Sequence, residues 1–161
     1  MKKILTGVVL LGVIAAAHTN TSCRERGCYY GERVSFIAPV DDLDRIGMRY
    51  YHAGKFSEAI IYHYRACIEG SASGCNHAGY MYDQGKGVLQ DYKIAGKYFT
   101  LACRYGSGMG CSNLGVLYEE GEGVSQSDLK AKLYYGKSCR LGTDQGCRNE
   151  ELLDRYLLLI R

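Results

Sequence analysis

One serine in this chain stands where a lysine could activate it. Ser127-Asp128-Leu129-Lys130 is the single S-x-x-K in the sequence. A lysine one helical turn from a serine lowers the barrier to its deprotonation, the arrangement that serine hydrolases of β-lactams use. Its surroundings favour a smaller role. The segment lies where a loop hands over to a helix, so Ser127 suits an N-cap and Lys130 a first-turn surface position. The companion motifs S-D-N and K-T-G are both missing. The four histidines, His18, His52, His63 and His77, show neither H-x-H nor H-E-x-x-H spacing, so no metal and no other cofactor is expected. His52 and His63 are placed to face one another across a first helical hairpin, packing or surface roles being the alternative. Catalytic residues stay unassigned.

The cysteines carry a clearer message. Cys67/Cys75, Cys103/Cys111 and Cys139/Cys147 are each C-x7-C, and each pair starts 36 residues after the one before. A redox-active pair would be C-x-x-C, whose close spacing depresses one thiol pKa, and none occurs. Zinc hooks are also tighter than seven intervening residues. The repeat register therefore selects three local disulfides, each pair closing on itself. Cys23 and Cys28 lie upstream in a polar stretch, where a local disulfide is expected and an intermolecular bond is the alternative. Eight cysteines in a small chain imply an oxidising compartment.

The N-terminus agrees. Met1-Lys2-Lys3 is a basic start, Ile4 to Ala17 is an uncharged apolar run, and Ala15-Ala16-Ala17 offers a small-residue cleavage site. The run is short for a membrane span, which needs about 20 residues. Residues 1–17 thus read as a signal peptide, 18–42 as an N-terminal segment and 43–161 as the folded array. A lipid-modified Cys23 is disfavoured, because no aliphatic residue stands three places before it. The mature chain would be secreted or periplasmic, with no membrane partner. Losing Lys2 and Lys3 leaves 18 basic against 17 acidic residues, and no Lys/Arg run forms a patch for nucleic acid.

The elements that must position these residues follow from the period. Gly79, Tyr82, Gly85, Gly87 and Val88 superimpose on Gly115, Tyr118, Gly121, Gly123 and Val124. Ala95, Tyr98, Cys103, Gly106 and Cys111 superimpose on Ala131, Tyr134, Cys139, Gly142 and Cys147. A period in the thirties with this much identity means helical hairpins stacked side by side. Each repeat reads as helix A, a glycine loop, helix B and a glycine turn. In the second repeat helix A runs from about Cys75 to Gln84, and Asp91 caps a helix B ending near Tyr105. Ala95, Tyr98, Phe99 and Ala102 form its buried stripe. The first repeat has a loop about five residues shorter, and Arg148 to Arg161 reads as a capping helix whose Leu152, Leu153, Tyr156 and Leu157 cover the open end. Tyr82, Tyr98, Tyr118 and Tyr134 recur at core positions. Tyr64, Tyr80 and Tyr135 do not recur, and unshared exposed aromatics are where repeat proteins place ligand contacts.

The last two full repeats read A/L-G-x2-Y-x2-G-x-G-V, an alanine-rich helix, then A/S-C-x2-G-x3-G-C. This pattern resembles the Sel1-like repeats, and its C-x7-C form is similar to the Helicobacter cysteine-rich proteins. The resemblance spans roughly residues 43–161. It implies an all-α fold, a right-handed α/α superhelical solenoid of disulfide-stapled, tetratricopeptide-like repeats with a concave face. It also implies export, and either of two functions. One is penicillin binding with slow β-lactam hydrolysis, extending to peptidoglycan fragments as ligands. The other is a non-enzymatic module for a protein or peptide partner, an adaptor or host-interacting protein. The residues themselves favour the second, because no catalytic constellation is visible.

Overall fold

The computed structural model describes residues 39–160, which form seven helices and, among those residues, no strand. They are α1 (Val40–His52), α2 (Phe56–Ile68), α3 (Ala72–Gln84), α4 (Tyr92–Arg104), α5 (Gly108–Glu120), α6 (Asp128–Arg140) and α7 (Asp144–Leu159). Odd-numbered helices are the A helices and even-numbered ones the B helices. Each A helix packs on its B partner, and neighbouring A helices also meet, α1 with α3, α3 with α5 and α5 with α7. The array is a helical solenoid in which each hairpin rests on the next. The candidate signal peptide and Cys23 and Cys28 lie outside the described residues. No described helix is long and apolar enough to cross a membrane.

Local chemistry sets the helix ends. The hydroxyls of Ser71 and Ser107 accept from the amides of Gly74 and Gly110, so α3 starts three residues before the position expected from the cysteine. Asp91 caps α4 in the same way through the amide of Ile94. Gly85 closes α3 in the left-handed region, at φ 64°, where a side chain would be strained. The A–B loops hold seven residues in the second and third hairpins (85–91 and 121–127) but three in the first (53–55), a difference of four rather than five.

Disulfides Cys67–Cys75, Cys103–Cys111 and Cys139–Cys147 join the end of each B helix to the start of the next A helix, with Cα atoms 4.4–4.5 Å apart. Such an approach needs a bare backbone nearby. A Cβ on Gly74 would lie 2.6 Å from the Ala66 methyl. Closing loops of this size stabilises by about 2–3 kcal/mol each in the chain-entropy model. The Cys67–Cys75 bond then packs against buried Ala102 of the following repeat.

The core is a row of small clusters rather than one centre, as expected when each hairpin touches only its neighbours. Ala95, Phe99, Leu114 and Leu117 make one, and Ala131, Tyr135 and Leu153 another. A stacked tyrosine pair ties each hairpin: Tyr50–Tyr62, Tyr82–Tyr98 and Tyr118–Tyr134, with ring centres 5.2, 5.6 and 5.5 Å apart. At the C-terminal end Leu153 is buried and Leu157 half-buried, but Leu152 and Tyr156 are exposed. The expected four-residue cover is thus only half realised. Helix α7 meets the array through a single stripe, and Leu152 and Tyr156 fall off it.

Candidate functional site

The S-x-x-K residues are used locally. The Ser127 hydroxyl accepts from the Lys130 amide at 3.4 Å and so caps α6, while the Lys130 ammonium sits over the Tyr118 ring, 5.0 Å from its centre. Serine and lysine are thus turned to separate tasks.

The histidines are arranged differently from the sequence expectation. His52 is exposed and edges against Tyr51, not His63. His63, on α2, is fully buried and lies against His77 of α3, with ring centres 4.8 Å apart. Both rings turn Nδ1 toward one oxygen of Asp44 on α1, at 2.7 Å for His63 and 2.9 Å for His77. Burial works to raise the Asp44 carboxyl. Hydrogen bonds from His63 and His77, with the field of His77, outweigh burial and hold the group well below the ordinary carboxylate range.

Repeat register explains why these three residues meet. Helices α1, α3 and α5 each carry a glycine that receives a ring from the B helix of the same hairpin: Gly47 takes His63, Gly79 takes Phe99 and Gly115 takes Tyr135. His63 therefore stands where the other repeats place an aromatic packing residue. A polar rung links neighbouring A helices three and two residues ahead of those glycines. In the later rung the Asn113 amide donates to the Asn76 side-chain oxygen at 3.0 Å. In the first rung Asp44 replaces Asn76 and His77 replaces Asn113. Three such differences, two in the first repeat and one at the start of the second, thus converge at one place.

Two depressions meet at His77. One, of about 240 Å³, is walled by Met48, Tyr51, His63, His77, Tyr80 and Met81. The other, about 700 Å³ and more polar, runs past Val40, Ser73, Asn76 and His77 to Tyr105 and Met109. Of the unshared tyrosines, Tyr80 borders this region and is 40% exposed, and Tyr64 is exposed on α2. Tyr135 is buried, which corrects its reading as an exposed contact. It fills the Gly115 notch, and its hydroxyl donates to Glu119 at 2.5 Å. Burial, then Glu119, push that hydroxyl above the usual tyrosine value.

Two adjacent 36-residue segments, 72–107 and 108–143, match the Sel1 repeat model, and they coincide with the hairpins α3–α4 and α5–α6. These two segments are Sel1 repeats. No curated protein matches the sequence of the chain. Among solved structures, the chain is similar to the Helicobacter pylori cysteine-rich protein B, at 27% identity and TM-score 0.55, covering 68% of this chain and 96% of that one. A Sel1 repeat protein from Oxalobacter formigenes matches at 30% identity and TM-score 0.57, over 62% of this chain and 39% of the other. The protective antigen c5321 of uropathogenic Escherichia coli, which displays the same repeat fold, matches at TM-score 0.70 and 20% identity. That match covers 74% of this chain but only 26% of the antigen, and at that identity it speaks to fold alone.

Proposed function

We propose that this chain is an exported, non-enzymatic interaction module, secreted or periplasmic, that holds a protein or peptide partner on the A-helix face of its first two repeats. The observation that carries the reading is the pair of depressions that both reach His77, lined by Met48, Tyr51 and Tyr80 and, at the far end, by Met109 at the start of the third repeat. Aromatic and methionine side chains around a small polar centre are the composition of protein contact sites. Stacked helical repeats are built to present extended surfaces of this kind, which also supports the reading. The three disulfides fit an oxidising compartment. Penicillin binding, slow β-lactam hydrolysis and peptidoglycan-fragment binding rest on the family resemblance alone, since Ser127 is engaged as a helix cap.

The test starts from oxidised protein lacking residues 1–17 and a displayed peptide library. Selected peptides should lose affinity with Tyr51→Ala and Tyr80→Ala, and keep it with Leu158→Ala, which lies on the exposed C-terminal strip. Peptides indifferent to the two tyrosines would overturn the proposed face. Hydrolysis of a fluorescent penicillin that disappears in Ser127→Ala would overturn the non-enzymatic reading.

A further inference from the structure

We propose that Asp44, His63 and His77 form a binding site for one divalent transition-metal ion, with zinc the ion best suited to the donor set. One donor atom from each residue lies within 4.8 Å of the others. Two imidazole nitrogens and a carboxylate oxygen make a mixed N/O set that zinc accepts at about 2.0–2.2 Å, with a fourth position left for solvent or a partner's donor. Hydrogen-bond separations of 2.7 and 2.9 Å from the carboxylate oxygen are slightly shorter than neighbouring ligands on such an ion require. Binding an ion therefore requires the partly exposed Asp44 and His77 side chains to rotate apart, since His63 is fully buried.

The buried His63 ring supplies an independent reason. Its Nε2 is fully enclosed and has no hydrogen-bond partner. Whether that nitrogen carries a proton or a lone pair, it is desolvated and unmatched, a state that folded proteins avoid. Packing does not require it, because Phe99 and Tyr135 fill the equivalent notches in the next two repeats. An imidazole kept here at that cost needs a role that a phenyl ring cannot supply, and coordination through Nδ1, the nitrogen that faces Asp44, is such a role, although Nε2 stays unmatched. Coordination energy adds to folding energy and offsets the cost.

The surroundings suit a metal centre. The Cys67–Cys75 bond fastens α2 to α3, fixing His63 and His77 relative to one another before any ion arrives. His77 and Asp44 keep 28% and 13% of their side-chain surface exposed, which gives an ion a way in from the wider depression. The ion would tie α1 to α2 and α3. Helix α1 is otherwise the one described helix without a described disulfide.

The experiment uses the oxidised, chelator-treated full mature chain, so that no thiolate competes. Zinc chloride is titrated by calorimetry, and cobalt(II) is followed by its visible bands. One equivalent should bind saturably, raise the melting temperature and give cobalt bands of an N/O site. His77→Ala and Asp44→Asn should each weaken zinc by at least about tenfold, and His52→Ala should leave it unchanged. His63→Phe copies the packing of the next repeat, so it should fold and lose the zinc response. No saturable zinc binding in the wild-type chain overturns the proposal, as does binding that a folded His63→Phe protein retains.

Discussion

The imidazole of His63 occupies the space that a side chain on Gly47 would need: a Cβ there would lie 2.7 Å from its Cε1. The same lock recurs between Gly79 and Phe99 and between Gly115 and Tyr135. A helix pair closed by ring-into-glycine contact cannot yield on the glycine side. Gly47→Ala should destabilise the chain by about 1–3 kcal/mol, the usual cost of overpacking. Denaturant unfolding of the two proteins measures it. A cost near zero would mean that the ring moves freely.

Removing a staple tests how much of the stability is covalent. A Cys103→Ser, Cys111→Ser double variant should lose about 2–3 kcal/mol. The loss should match that caused by reducing this bond alone in the wild-type chain, as judged by unfolding with the other bridges mapped by mass spectrometry. A double variant as stable as the parent would show that glycine-mediated packing already holds α4 to α5.

Ser127→Ala separates a cap from a nucleophile. The lost bond to the Lys130 amide should cost about 0.5–1 kcal/mol and fray the start of α6. Amide exchange at residues 128–130 should rise, and neither the wild type nor the variant should hydrolyse penicillin.

Glu120 gives a pH signature. Burial, then the neighbouring Glu122, Glu119 and Asp83, raise its pKa above the ordinary 4.5. A carboxyl whose folded-state pKa is raised binds its proton more tightly in the native protein. Its stabilising contribution is therefore full below about 4.5 and is lost as pH rises through the raised value. Melting temperatures at low ionic strength should show Glu120→Gln more stable than wild type at pH 7 and level with it at pH 4. Equal curves across that range would contradict the assignment.

Much of the fold is readable from the amino acids, because its signals are local. A serine or aspartate before each of α3 to α6, a glycine at or just after the end of each of α1 to α6 and a 36-residue beat in cysteine, glycine and tyrosine define the hairpins. Asp44 escapes that reading for a geometric reason. The first A–B loop is four residues short, so superposition at 36 puts α1 one helical turn out of step and hides the match between Asp44 and Asn76. His63 was visible, but its partner was misread as His52. A partner across the hairpin is suggested by sequence distance, whereas His77 arrives through the neighbouring repeat. Tyr135 is unshared by residue identity, but the notch it fills accepts any flat ring, His63 and Phe99 in the earlier repeats. The half-open C-terminal end was missed for a related reason: helical spacing defines a stripe, and how wide a stripe the neighbour covers is a matter of packing.

The staples have a further consequence for survival among proteases. Each bridges a B–A turn, so a backbone cut between Cys67 and Cys75, or within either later pair, leaves the two ends covalently joined. The A–B loops at 85–91 and 121–127 are spanned by no described disulfide. A cut there divides the chain into pieces held by noncovalent contact alone. Nicks of equal chemistry thus have unequal outcomes, harmless at one end of every hairpin and severing at the other.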